Sequence, residues 1–462
     1  MTNRVTLNVT RMRRLSVFLI LLSAAISILP GIALERDSPG GAINFRAIYY
    51  GARCLLERTD PYMPSEFLRA YEAQGGAFPS DPGKSQLFLR AVPICVNLPT
   101  TLFLIAPLAM LPWGLALAIW WGLLAVSFVL AAFLVWDLSA SHAPAVSLIL
   151  ICLLLANSQV LFITANAAGV AVCFCVIAVW CFLKRSFAAA GVVCLAISLA
   201  LKPHDSGLVW LCFLLVGGVF RKRALQALAL TVALCVPAVL WTSHVAPRWS
   251  QELRSNIAET SSHGDISDPG PDSISRRGTA DVIIDLQSVI SVFQDNPRLY
   301  NPITYFVCGS MLLVWSAVTL RLPASTTSVF FALSAIAALS MLATYHRPYD
   351  AKLLLISIPA CCMLWARGSA IGRAALAVTT AAIGLTGDIP LAAHALLIRN
   401  MNVSAMGLFG KTLLIALVRP APLALLAMVL FYLWVYVRGA SQSTPAPCPT
   451  ISEKLQAART ET

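Results

Sequence analysis

Long, unbroken apolar runs dominate the chain. They occupy residues 15–34, 98–113, 115–136, 144–157, 160–183, 186–201, 206–220, 224–246, 303–321, 326–343, 351–366, 370–393 and 409–437. Runs this continuous, spread over most of 462 residues, leave few architectures open. A hydrocarbon core of about 30 Å holds no water to satisfy backbone polar groups, so a crossing segment is a helix or part of a closed barrel. Barrel strands alternate over segments of about ten residues, and these runs do not alternate. The expected fold is therefore an all-α polytopic membrane protein. The composition agrees: 58% of residues are hydrophobic and 12% charged, against about a quarter charged in soluble domains.

Charge sets the expected topology. The run 15–34 follows Arg11, Arg13 and Arg14. It is about 20 residues long and lacks a small-x-small cleavage site, so it reads as a retained span rather than a signal peptide. Cytoplasmic loops collect Lys and Arg. That rule puts the N-terminus, Lys184-Arg185, Arg221-Lys222-Arg223, Arg367 to Arg373 and Arg438 inside. Alternation then puts the polar stretches 35–97 and 247–302 outside, together with Lys202-Pro203 and His346 to Asp350. Three apolar pieces compete for two crossings before residue 158. The piece 98–113 is short and holds Pro99, Pro107 and Pro112, so it reads as re-entrant or interfacial. The outcome is about twelve spans with both termini inside. Residues 1–438 form one transmembrane domain, and 439–462 form a disordered cytoplasmic tail. The expected location is the plasma membrane.

The net charge of +12 thus reads mainly as a topology signal, and no nucleic-acid-binding motif accompanies it. Most of the 13 cysteines fall in apolar runs, where cysteine behaves as a small hydrophobe. There is no CxxC, so neither a zinc ribbon nor a redox pair is indicated. Cys54 and Cys95 lie outside the spans and are a candidate disulfide, with free thiols the favoured reading. No internal repeat is evident.

Four polar clusters stand out on the expected outer side. The first runs from Asp37 to Tyr62 and includes Asn44, Arg46, Tyr49, Tyr50, Arg53, Glu57, Arg58 and Asp60. Apolar residues recur within it at helical spacing. Residues 44–58 therefore read as an amphipathic helix on the membrane surface, with Arg46, Tyr50, Arg53 and Glu57 on its polar face. The helix should stop before Asp60-Pro61, because the residue before proline avoids the helical region. The second cluster is Lys202, His204 and Asp205. The third is the outer loop containing Asp265, Asp268, Asp272, Arg276, Arg277, Asp281, Asp285 and Gln287. The fourth is His346, Arg347, Tyr349 and Asp350.

Ionisable groups at membrane depth are costly and usually mark a site. Together the clusters supply cations for a phosphate (Arg46, Arg53, Lys202, His346, Arg347) and carboxylates for a base (Asp37, Asp60, Asp205, Asp350). Arginine forks and lysine point charges both suit phosphate. This chemistry fits transfer of a sugar from a lipid phosphate to a hydroxyl. Plainer roles also fit. Arg46, Arg53 and Arg58 suit snorkelling to headgroups, Lys202-Pro203 a span end, Asp60-Pro61-Tyr62 a turn, and His346 with Asp350 a cap pair. The 265–285 charges read as a solvated loop rather than a metal site.

In order along the chain, NFRAIYYGARCLLERTDPY, the proline-led NLPTTLFLIAPLAMLPWGLALAIWW, Gln159 in ANSQVLF, AAAGVVCLAISLALKP and YHRPYDAKLLLISIPA make a set. This set resembles glycosyltransferase family 87, the polytopic polyprenol-phosphate-sugar-dependent transferases that include bacterial mannosyltransferases. The resemblance covers roughly residues 10–440. It implies a C-type membrane glycosyltransferase fold with its site facing outside, and inverting transfer from a polyprenyl-phosphate hexose or pentose to a glycolipid, glycan or protein hydroxyl. No cofactor, nucleotide sugar or metal is implied. Taken together with the clusters, the candidate catalytic positions are Asp37, Asn44 and Asp60. The candidate substrate contacts are Arg46, Tyr50, Arg53, Tyr62, Gln159, Lys202, His204, His346, Arg347, Tyr349 and Asp350. Asn44 stands where the family carries an acid, and asparagine cannot act as a base. Asp37 or Asp60 would then serve, or the chain would be an inactive lipid-binding relative. A transporter is the remaining alternative.

Overall fold

The computed structural model describes residues 2–36, 38, 40–274, 283–322, 325–388, 390 and 406–442, except the side chains of 2–13 and 440–442. Regular structure among them is helical throughout. The chain begins with α1 (Thr2–Glu35), α2 (Ile43–Leu56), α3 (Pro64–Ala73), α4 (Pro82–Ala91), α5 (Pro99–Ala109), α6 (Trp113–Ser139) and α7 (Pro144–Ala156). It continues with α8 (Gln159–Thr164), α9 (Ala167–Leu183), α10 (Ala188–Leu201), α11 (Pro203–Val216), α12 (Gly218–Val245), α13 (Trp249–Thr260), α14 (Gln287–Phe293), α15 (Pro297–Arg321) and α16 (Thr326–Ala343). A 3₁₀ segment (Asp350–Ser357) leads into α17 (Ile358–Trp365), followed by α18 (Ala370–Leu385), α19 (Leu408–Val418) and α20 (Pro420–Gln442).

Among the described residues, six segments are long and apolar enough to cross a membrane: Arg14–Glu35, Trp113–Ser139, Gly218–Val245, Pro297–Arg321, Thr326–Ala343 and Pro420–Gly439. This is the build of a multi-pass helical membrane protein. Several runs that read as single spans are broken instead. The run 160–183 divides at Ala165, which adopts a left-handed backbone. Asn166 then caps α9 by accepting from the Ala168 N–H at 2.8 Å. The run 409–437 divides at Arg419, since Pro420 cannot continue a helix. The run 351–366 starts as the 3₁₀ segment. Helix α5 has 11 residues, which rise only about 16 Å.

Helix α9 is the hub. It is buried on nearly every side, packed by α6, α10 and the 3₁₀ segment, as expected of a helix apolar all round. Helix α16 is similarly enclosed and packs along α20. Helices α12 and α15 bury little and expose rows of large apolar side chains such as Leu240, Phe306 and Leu313.

Both polar stretches fold, the first as α2–α4 and the second around α13 and α14. Helix α2 forms where the periodicity puts it and ends ahead of Asp60-Pro61. Its expected polar face is not free, however, because Arg46 and Tyr50 are buried. Arg46 stacks over the Trp113 ring at 4.3 Å. It donates from Nε to the Gly41 carbonyl at 3.1 Å and from Nη1 to the Tyr71 hydroxyl at 3.4 Å. A guanidinium so stacked and bonded can leave water. Arg53 stays partly exposed, pairing with Glu57 at 2.7 Å and donating to the Ala109 carbonyl. Helix α2 is thus an internal strut against α3 and α5 rather than a surface float. The 265–285 stretch differs likewise from a solvated loop. Asp265, Asp268 and Asp285 are buried, and Asp268 accepts from the Gly264 and Gly270 N–H groups at 2.8 and 3.0 Å. Arg276, Arg277 and Asp281 lie outside the described residues. Cys54 and Cys95 are buried free thiols.

Candidate functional site

A cavity of about 480 Å³ opens where the end of α1 meets α4, α8 and the turn after α16. Glu35 closes α1, and Ser38 and Gly40 follow it into the wall. Asn44 and Ile43 come from the start of α2, and Lys84, Leu87, Phe88 and Arg90 from α4. Gln159 and Ile163 come from α8, and Tyr345, Arg347 and Tyr349 from the turn. Asp388, just past α18, completes the set. The space is amphipathic, with aliphatic and aromatic walls carrying two carboxylates and three cations.

Local chemistry fixes these groups. The Glu35 carboxylate folds against the turn at Gly41: a Cβ there would lie 2.8 Å from Glu35 Oε2 and 2.5 Å from the Glu35 carbonyl oxygen. Lys84 and Arg46 are the cations that act on Glu35. Asn44 Nδ2 is buried without a hydrogen-bond partner. Asp388 accepts from the backbone N–H groups of Gln159 and Val160 at the start of α8, where a helix end offers free donors and a positive dipole. Arg347 donates from Nη2 to the Ile266 carbonyl at 2.7 Å and from Nε to the Tyr345 hydroxyl. Arg90 pairs with Glu259 at 3.1 Å and Asp265 at 3.3 Å, tying α4 to the second polar stretch.

Of the residues singled out from sequence, the cavity gathers Asn44, Gln159, Arg347 and Tyr349. Asp37 lies outside the described residues. Asp60 is not in the wall; its Oδ1 accepts from the Tyr62 N–H at 2.8 Å, a turn bond. Tyr62 is buried and donates to the Asn97 carbonyl. Tyr50 packs among Tyr49, Tyr71 and Trp113. Arg46 and Arg53 are held as described above. Sequence reasoning missed Glu35, Lys84, Arg90, Tyr345 and Asp388. A signal existed for Glu35, a carboxylate ending the first apolar run. One existed for Asp388, an acid inside the run 370–393.

Lys202, His204, His346 and Asp350 come together behind the turn. Lys202 Nζ pairs with Asp350 Oδ1 at 3.2 Å and lies over the Tyr349 ring at 5.1 Å. Asp350 Oδ2 accepts from the Arg347 N–H at 2.7 Å. His346 Nε2 and His204 Nε2 lie 3.3 and 3.7 Å from Asp205 Oδ1. Thus the second and fourth sequence clusters form one group. Along the turn, Tyr345, Arg347 and Tyr349 line the cavity while His346 and Asp350 serve the group behind it. A second trio joins the exposed His263 to the buried Asp268 and the half-buried Asp295.

No family model, curated protein or solved structure matches this chain. The arrangement can bind an anion through Arg347 and Lys84, accept a proton on Glu35 or Asp388, and shelter an apolar chain against Phe88, Leu87 and Ile163.

Proposed function

We propose that this chain is a membrane glycosyltransferase that moves a sugar, mannose or a related hexose or pentose, from a polyprenyl phosphate to a hydroxyl acceptor, with inversion. On this reading the chain crosses the plasma membrane about twelve times, and the cavity opens away from the cytoplasm. The observation that carries it is the cavity itself, where carboxylates, cations and an apolar wall share one space beside the first span. A lipid phosphate sugar needs all three: cations for its phosphate, apolar surface for its tail, and a base for the acceptor.

Glu35 takes the proton of the acceptor hydroxyl. The acceptor oxygen attacks the anomeric carbon from the face opposite the phosphate. The bond from that carbon to the phosphate oxygen breaks, and its electron pair leaves with the polyprenyl phosphate, stabilised by Arg347 and Lys84. Asn44, with its buried unpaired amide, donates to a sugar hydroxyl. The resemblance to glycosyltransferase family 87 supports the same chemistry, with Glu35 relieving Asn44 of the base role.

The test is transfer of radiolabelled sugar from polyprenyl-phosphate mannose in membranes containing the wild type, Glu35→Gln, Asp37→Ala and Asn44→Asp. Loss of a general base removes about 10²–10⁴-fold of rate. The expected result is wild-type transfer, a loss of that order in Glu35→Gln at equal protein level, and little change in Asp37→Ala. Transfer surviving Glu35→Gln but not Asp37→Ala moves the base to Asp37. A silent wild type with an active Asn44→Asp marks a disabled, lipid-binding relative. Silence in all four would turn attention to transport, for which the broken helices α8–α9 and α10–α11 are suited.

A further inference from the structure

The group behind the turn has the makings of a site of its own. Asp205 stands in the first turn of α11 and is buried, yet neither of its carboxylate oxygens has a hydrogen-bond partner. A buried, unsatisfied carboxylate is expensive. Facing it is His346, fully buried, whose Nδ1 lies 2.8 Å from the Thr344 carbonyl. A carbonyl only accepts, so Nδ1 carries a proton, and in the neutral ring Nε2 presents a lone pair. Nε2 too has no hydrogen-bond partner. In a neutral ring, then, a lone pair and a carboxylate point at the same spot. His204, one residue before Asp205, brings a second imidazole, its ring 5.2 Å from that of His346.

We infer that His204, Asp205 and His346 form a binding site for a divalent transition-metal ion of the zinc class. Their donor atoms all lie within 4.8 Å of one another. Two ligands about 2.0–2.2 Å from a tetrahedral zinc ion sit about 3.3–3.5 Å apart. The observed separations from Asp205 are 3.3 and 3.7 Å, so a small turn of His204 closes the set. Two imidazoles with one carboxylate select zinc, cobalt or iron over magnesium and calcium, which prefer oxygen. The Nδ1–H bond to the Thr344 carbonyl is the support that orients a ligating histidine.

Charge around the group is compatible. Lys202 acts electrostatically on Asp205 and His204, but its ammonium is paired with Asp350 at 3.2 Å. Asp285, also buried, acts electrostatically on His346, and the N–H of Ile284 before it donates to the His346 carbonyl at 2.9 Å. Access exists on one side only, since the His204 side chain is 41% exposed while Asp205 and His346 are enclosed. Three protein ligands with one open side describe an ion that can take a further ligand. The site is separate from the cavity and does not rest on sugar transfer.

The test uses the full chain, purified in detergent without a polyhistidine tag, stripped by chelator and reloaded with Zn²⁺ or Co²⁺. Metal content is measured by elemental mass spectrometry and Co²⁺ geometry by visible absorption. Expected are one tightly held ion per chain, a tetrahedral Co²⁺ band that Zn²⁺ but not Mg²⁺ displaces, and an unfolding temperature raised by Zn²⁺. His204→Gln, at the exposed edge and safe for folding, should weaken retention by at least about tenfold while leaving the metal-free unfolding temperature unchanged. Asp205→Asn should abolish retention. Metal content no higher than the chelator blank overturns the site and leaves the three residues an ion pair. Retention unchanged in His204→Gln and Asp205→Asn places the metal elsewhere and overturns it equally.

Discussion

Asp60 and Glu252 show how a pair of side chains can set a pH dependence. The Glu252 carboxyl packs against Asp60, with Glu66 close by and accepting from the Asp60 N–H at 2.6 Å. Burial first, then the hydrogen bond and charge of Asp60, push Glu252 up to about 7. In the unfolded chain Glu252 titrates near its ordinary value of 4.5. The folded state therefore holds a proton that the unfolded state has lost across that window. Stability from this contact is full below about pH 4.5 and is lost as pH rises through about 7. Thermal unfolding in detergent should show that decline, and Glu252→Gln should flatten it. A wild-type profile already flat across the window would remove the shared proton. Residue identity made Asp60 legible as a turn-former, since proline follows it. Its carboxylate neighbour lies almost 200 positions away in α13, and no local spacing encodes that.

At the scale of elements, α13 is a clasp. Asn256, buried, donates to the Tyr62 and Cys95 carbonyls, each at 3.0 Å, and so ties the middle of the first polar stretch, ahead of α3, to its end, past α4. Removing it orphans two carbonyls. Asn256→Ala should destabilise by about 1–3 kcal/mol and open α2–α4 to proteolysis and amide exchange. The neighbouring Arg90–Glu259 pair is 43% and 47% exposed, so Glu259→Ala should cost only about 0–1 kcal/mol. Equal effects in a detergent unfolding series would deny Asn256 its role. Most helices were legible, because apolar runs and prolines mark their bodies and starts. The breaks at Ala165 and at the 3₁₀ segment were not. A left-handed alanine and a tightened turn are held by tertiary packing, which local propensity does not record. The burial of Arg46 was hidden for the same reason: its partners, Tyr71 and Trp113, are assembled by the fold.

For the whole molecule, the sequence makes helical membrane character plain, while the cavity's membership is not. Asn44, Gln159, Arg347 and Tyr349 were visible as polar marks in aromatic or apolar settings. Glu35, Lys84, Arg90 and Asp388 became partners only when four distant segments met. The sidedness read from basic loops makes a direct prediction. Alkaline phosphatase fused after Ser80 or His263 should be active, and fused after Lys222 inactive, because the enzyme folds only outside the cytoplasm. Activity at Lys222 would invert the topology and with it the side on which the cavity opens. The turn from Tyr345 to Asp350 finally joins the two groups of side chains. Its alternate residues look into the cavity and into the His204–Asp205–His346 group, so one short backbone is a party wall. Whatever restrains that wall from one side restrains it from the other. Occupancy of either side that shifts the wall must then change affinity on the far side by the same factor in both directions.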